Sequence, residues 1–484
     1  MNHVVDEKTV NDDRPEEECK PSPWRFYVII IFSIFGFTNQ AQLVQFANTV
    51  RQTQEFYDCS AFAVNMLTTV YAAVYVFCAF PSVELVERQG LRTAIRVGTF
   101  VNFLGTALKV VTSLWFPNYW LLLFSQFCGA GGQLLNVGLP PLLSSTWFPP
   151  DERQLSTSIG LFMGFLGMSA AFGLAPLAVN PTHKSKEDFT TMYWPQALLA
   201  GIAFLGTVVL LPEQPAHPPS VTSPLAAKRK AAAGKVTTAD TSEEARLLVE
   251  TAAQESEMAR LTTWQQMKLA SKNKNFLGLL AMMGMLGGIT TALAAVLAQL
   301  FQPYLITESQ AGVITSLGIL AGCIGCGGSA VVLSKYRKYK SPLVAGTAVF
   351  VLIQIAVLIC TVTIPIEGSN FLVPTAVGII TASAVCLPLL PIGMEFAVEI
   401  TYPAPEALAG TACMWALNSF SIIFIVGISI LIGNVPTATD GQIILSTEAC
   451  LLAIACTLVY MRVKEDLRRL KFEQEVENTI LNRG

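Results

Sequence analysis

Carboxamides, a lone lysine and phenolic rings stand in this sequence where their neighbours are almost all apolar. Gln133 and Asn136 follow a glycine-rich stretch, and Trp415 and Asn418 lie in a matching apolar run much later in the chain. Asn39, Gln42 and Phe46 recur at helical spacing on one face with Leu43 beside them, and Tyr71 and Tyr75 lie one turn apart. Amides donate and accept hydrogen bonds, and aromatic faces attract cations. Such a set suits non-covalent recognition of a small polar solute, with Gln133 and Asn418 expected to converge on it from opposite halves of the chain. It does not suit bond breaking. There is no nucleophile elbow, phosphate loop or metal-ligand helix, and His3, His183 and His217 all fall outside the apolar runs. No catalytic residue, cofactor, metal or nucleic-acid partner is expected.

The elements that must position these groups are membrane helices. The chain has 484 residues, of which 52% are hydrophobic and 13% charged, against about 25% charged in ordinary soluble domains. Runs of roughly 20 apolar residues, the length that crosses a bilayer, recur as twelve expected spans. In the first half these are 26–48, 60–83, 93–113, 119–141, 155–179 and 192–211; in the second, 275–300, 311–333, 342–364, 371–392, 408–433 and 442–461. The expected organisation is an N-terminal tail (1–25), a six-helix bundle (26–211), a polar central loop (212–274), a second six-helix bundle (275–462) and a C-terminal tail (463–484). Lysines and arginines concentrate in the tails, the central loop and alternate short loops, while the other loops hold only Arg51, Lys184 and Lys186. By the positive-inside rule both termini are cytosolic.

Charges near the cytosolic ends suggest a gate. Glu87-Arg88-Gln89-Gly90-Leu91-Arg92 places acid and base around a glycine between spans 2 and 3, with Arg153, Glu395 and Glu399 as further members. Ser334-Lys335-Tyr336-Arg337-Lys338 is a degenerate counterpart after span 8. Lys109, a basic residue deep in a span, either contacts solute or snorkels to the headgroups. Cys323-x-x-Cys326 lies among glycines in an apolar span, where close helix packing is favoured over metal binding. No buried pair of acids stands out, which favours uniport over proton coupling. Glu243-Glu244-Ala245-Arg246-Leu247-Leu248 matches an acidic dileucine sorting signal or an amphipathic cytosolic helix.

Two six-span halves joined by a long loop match the architecture of the major facilitator superfamily, all-α with the substrate near the midplane. Several stretches resemble one group within it, the feline leukaemia virus subgroup C receptor-related and disrupted in renal carcinoma carriers. They are Asn39 to Phe46, Phe80-Pro81 through Arg92, Leu104 to Lys109, Gly132-Gln133 through Ser145-Thr146-Trp147-Phe148-Pro149-Pro150-Asp151-Glu152-Arg153, Glu395 to Pro403, and Asp466-Leu467-Arg468-Arg469. The resemblance implies a solute carrier for choline, ethanolamine, haem or a vitamin-type metabolite, working by alternating access. It also implies a cation–π cage with amides at Gln133 and Asn418. Leu43 stands at the cage tryptophan's position and span 7 offers Met283 and Thr291 where a tyrosine is expected, so Trp415, Tyr71 or Tyr75 would have to supply a face. The expected molecule is a monomer in the plasma or an endolysosomal membrane. The rival readings are a haem transporter and a receptor that binds without transport.

Overall fold

A computed structural model describes residues 22–179, 186–212, 261–336, 338–363, 371–401, 406–433 and 437–464, with 215 and 217. The described regular structure is helical throughout. Eleven segments are long and apolar enough to cross a membrane: spans 1 (Trp24–Val44), 2 (Ala61–Val86), 3 (Arg88–Leu114), 5 (Leu155–Ala178), 6 (Lys186–Leu210), 7 (Lys274–Tyr304), 8 (Glu308–Ser329), 9 (Lys340–Thr363), 10 (Leu372–Thr401), 11 (Leu408–Ile432) and 12 (Ala438–Arg462). Span 4 is the 19-residue helix Tyr119–Val137. It is less apolar because it carries Gln126, Gln133 and Asn136, all buried against neighbouring helices. Twelve helices thus form two six-helix bundles.

Local chemistry sets the ends of these helices. Ser60, Asn118 and Asn273 cap spans 2, 4 and 7 by accepting backbone N–H groups, and Thr437 and Asp440 form a capping box at span 12. Gly90 takes φ +80°, a left-handed conformation open to glycine, and lets span 2 turn directly into span 3. Span 4 stops at Val137 because Pro140 and Pro141 open a separate helix, Pro140–Trp147. Span 10 runs on to Thr401 through Pro388 and Pro391, well past the end expected at 392. Neighbouring helices in a bundle can satisfy the backbone groups that prolines free.

Two faces can be told apart. Arg25 meets Glu152 in the first bundle, and in the second Asn273 Nδ2 donates to Ile400 O and the Lys464 N–H to Asn275 Oδ1. Trp264, just before span 7, packs on Phe80 near the end of span 2, so these ends share one side, called here the terminal side. On the opposite, far side the bundles are bonded together. Asn65 Nδ2 donates to Gln299 Oε1 (3.3 Å) and Ser429 Oγ (2.8 Å), and Gln299 Nε2 returns a bond to Asn65 Oδ1 (2.9 Å). Between spans 5 and 8, Ser169 Oγ lies 2.8 Å from Ser316 Oγ. Nearby, Gly312 is so close to the Phe172 carbonyl that a Cβ would collide with it. On the terminal side the short helix Thr263–Ala270, within the central loop, sets Trp264 against Phe80 (6.1 Å between ring centroids). Phe80 in turn lies 6.4 Å from Trp415 of span 11. The acidic dileucine stretch falls outside the described residues, as do residues 1–21 and 465–484 of the two tails.

Candidate functional site

A cavity of about 200 Å³ lies between the two bundles. From the first bundle it is lined by Leu43, Val44 and Ala47, by Thr68 of span 2, and by Phe165, Met168 and Phe172 of span 5. The second bundle supplies Thr290 and Thr291 of span 7, Thr315 of span 8, Gln354 of span 9, and Ser383 and Cys386 of span 10 among others. No Asp, Glu, Lys, Arg or His is among the described lining residues. The wall offers hydroxyls, one carboxamide and phenyl faces in a mainly apolar surface. It can grip a small solute by shape, cation–π attraction and a few hydrogen bonds. The described residues contain no cluster of three or more His, Cys, Asp or Glu fit to hold a metal.

Of the span-1 residues expected at the site, only Leu43 reaches the cavity. Asn39, Gln42 and Phe46 are fully buried inside the first bundle. Asn39 Nδ2 donates to Asn102 Oδ1 (3.0 Å) and Gly129 O (2.8 Å), and Gln42 Nε2 donates to Asn102 Oδ1 (2.7 Å). These amides are occupied by spans 3 and 4, so the path expected along that face is a structural seam. Phe46 also lies beyond the end of helix Trp24–Val44. Lys109 belongs to the same seam. Its Nζ donates to Gln42 Oε1 at 3.0 Å and lies 5.7 Å from the centre of the Phe46 ring. Fully buried, it neither snorkels nor lines the cavity.

Gln133 and Asn136 are buried on span 4, and Gln133 Oε1 and Asn136 Nδ2 have no hydrogen-bond partner among the described residues. Ala130, one turn before Gln133, packs with Tyr71, Val74 and Leu43, which places this part of span 4 behind the cavity wall. Tyr71 and Tyr75 are buried, and the Tyr71 hydroxyl, held against Gly129, also lacks a hydrogen-bond partner among the described residues. On span 11, Asn418 Nδ2 bonds back to its own helix at Met414 O (2.8 Å). Trp415 Nε1 crosses to the first bundle and donates to Val76 O at 3.0 Å. Neither Gln133 nor Asn418 is among the described lining residues, so this conformation does not bring the two amides onto one cavity.

Among the gate residues, Arg88 is exposed and pairs with Glu84 one turn back, Arg92 is half-buried, and Gly90 forms the bend. Glu395 is exposed and Glu399 buried in the final turns of span 10, not in a loop beyond it. The side chains of Glu87 and Arg153 lie outside the described residues. Gln354, Phe165 and Phe172 were not anticipated. Gln354 carries a readable signal: it is a carboxamide in span 9, whose mean hydropathy of 2.7 is the highest among the eleven apolar segments.

The sequence profile of the Major Facilitator Superfamily matches residues 25–435. The chain is 28% identical over 460 residues to the choline/ethanolamine transporter flvcr2a of Danio rerio, covering 93% of this chain and 88% of that protein. It is 27% identical over 469 residues to the choline/ethanolamine transporter FLVCR2 of Homo sapiens, covering 95% and 81%. Among solved structures, a D-xylose–proton symporter superposes with a TM-score of 0.67 at 14% identity, covering 92% of this chain and 99% of that one. A bacterial homologue of the lysosomal transporter Spinster, inward-facing and unoccupied, gives 0.64 at 13% identity, covering 93% and 99%. Profile, relatives and the paired six-helix bundles agree: the chain belongs to the major facilitator superfamily of membrane transporters.

Proposed function

We propose that this transporter carries a small organic cation of the choline or ethanolamine class by alternating access, the two bundles rocking about the cavity between them. The observation that carries the reading is the cavity itself, lined by both bundles and paired with hydrogen-bonded far-side contacts that close one end. Phe165 and Phe172 supply aromatic faces for an ammonium group where Leu43 replaces the tryptophan implied by the resemblance. Gln133 is assigned to the solute's path because its buried, unpartnered carbonyl lies behind the wall, free to turn inward when the bundles shift. Asn418 and Trp415 are assigned to the terminal-side half of the same path, and Arg88, Arg92, Glu395 and Glu399 to its gate. One chain supplies both sides of the lining, which supports a working monomer. The lysine and arginine distribution supports cytosolic termini, and a plasma or endolysosomal membrane is assigned with the solute reading. With such a lining uniport is the default cycle.

Two observations weigh against haem as cargo. The cavity is smaller than the roughly 300–1,000 Å³ of drug-sized sites, and no histidine lies in any span to ligate iron. The test is uptake of labelled choline, ethanolamine, pyridoxine and haem into vesicles holding the purified protein. Choline or ethanolamine should cross and exchange, and Gln133→Ala should abolish that flux without lowering membrane expression. A ligand that binds but never crosses would make the protein a receptor, and undiminished flux in the variant would remove Gln133 from the path.

A further inference from the structure

Glu448 sits in the middle of span 12 at 2% exposure, and neither of its carboxyl oxygens has a hydrogen-bond partner among the described residues. Its level in the bundle follows from contacts on either side. Against span 9, Gln442 Nε2 donates to Thr361 O (3.2 Å) and Cys456 Sγ to Val344 O (3.5 Å). The helices run antiparallel, so Glu448 lies level with Gln354. Against span 7, Gly441 packs on Leu300 and Val463 on Gly278, a register that sets Glu448 level with Leu293. Gln354, Leu293 and Leu445, the last on Glu448's own helix, all line the cavity. The acid therefore stands at the depth of the cavity, on a helix whose Leu445 lines it.

Among the described residues, no other acidic or basic side chain on the elements packed there lies close to it. Span 7 carries none between Lys274 and Tyr304, and span 9 has only Lys340 and Cys360 toward its ends. Span 11 contributes Cys413, packed in the cluster of Met283 and Phe396. On span 12 itself, Cys450 is exposed, Cys456 is bonded to span 9, and Asp440, Tyr460 and Arg462 lie near the ends. Asp440 is two turns from Glu448, about 12 Å along the axis at the helical rise of about 1.5 Å per residue. A lone carboxylate here would be an uncompensated charge at bilayer depth, a cost that only a bound proton or a nearby cation removes.

We propose that Glu448 is the proton site of this transporter, and that a proton leaving it balances an organic cation entering the cavity, so that the two are exchanged. This rests on the cationic-solute reading and replaces plain uniport with electroneutral antiport. The interior tolerates one arrangement at a time: a neutral acid beside an empty cavity, or a carboxylate beside a bound cation. Gln354, level with the acid and open to the cavity, is the polar group that would relay between them.

The experiment uses the full-length protein in vesicles made acidic inside, with labelled choline outside and a potassium clamp holding the membrane potential at zero. Exchange of one proton per choline would let each pH unit support up to about tenfold accumulation, since one pH unit and a tenfold concentration ratio are the same free energy. Glu448→Gln, which matches the neutral acid in shape, should lose this gradient-driven accumulation. Wild-type flux indifferent to the gradient would overturn the proposal, as would gradient-driven accumulation retained in Glu448→Gln. If the wild type moves no choline at all, the cationic-solute reading fails separately, and infrared titration of the ligand-free protein decides the proton site. A protonated-carboxyl band at neutral pH, lost on alkalinisation and missing from Glu448→Gln, supports it. No such difference between the two proteins overturns it.

Discussion

Replacing Asn65 by leucine should tip the protein out of the conformation described here. Asn65 exchanges two hydrogen bonds with Gln299 and gives a third to Ser429, all between bundles and all buried. Leucine keeps the volume and removes every one of them. Side-chain hydrogen bonds inside membrane proteins average about 0.6 kcal/mol each, so three amount to about 1.8 kcal/mol. At 1.4 kcal/mol per factor of ten, the equilibrium between far-side-closed and far-side-open states shifts about twentyfold toward opening. Gln299 reinforces the shift, because in the closed state its amide is left buried without that partner, a penalty that opening relieves. Spin labels at Glu55 and Leu305, exposed on the far side of the two halves, report the change as a longer distance in the population. If the distance distribution of Asn65→Leu matches that of the parent, these bonds do not hold the halves together and the account of closure is wrong.

Gly312→Ala drives a methyl group into the Phe172 carbonyl across the bundle interface, so the same label pair should show opening while each bundle stays folded. Gln42→Leu takes the acceptor from the buried Lys109 Nζ and should cost about 1–3 kcal/mol, the penalty for a buried donor left without its partner. Thermal unfolding should then recover most of the deficit in Gln42→Leu/Lys109→Met, where no unpaired donor is left behind. The Cys59 thiol, outside the spans, is pushed up to about 11 from 9.0 by burial and then by the Asp58 charge. Its reaction with an impermeant maleimide at neutral pH should be about a hundredfold slower than that of an unshifted thiol, reflecting the smaller thiolate fraction. Asp58→Asn should quicken it.

Which parts of this molecule can be read from residues alone follows from what each signal measures. Apolar run length measures the cost of polar backbone in lipid, so the spans and their pairing into two bundles were plain. The end of span 10 was not: it was expected at 392, yet the helix continues to Thr401 through Pro388 and Pro391, because neighbouring helices can satisfy the backbone groups that prolines free. The span-1 amides show a different limit. Residue type and helical face reveal that Asn39 and Gln42 need polar company, but not whether that company is solute or another helix. The answer lay in span 3, where Asn102 and Lys109 recur two turns apart and meet them. Gln354 was the opposite case, legible and overlooked, since a single amide in the most apolar of these segments has few structural excuses.

The seam formed by Thr38, Asn39, Gln42, Asn102, Lys109 and Gln126 stitches spans 1 to 4 together with directional bonds at the heart of the first bundle. The core of the second bundle, from Phe276 to Val463, is a sheath of aliphatic and aromatic contacts. Hydrogen-bonded seams resist sliding, whereas greasy surfaces slip past one another at little cost. The first half is thus pinned in register by directional bonds, whereas the described core of the second, beside a span 10 that carries Pro388 and Pro391, is held chiefly by packing.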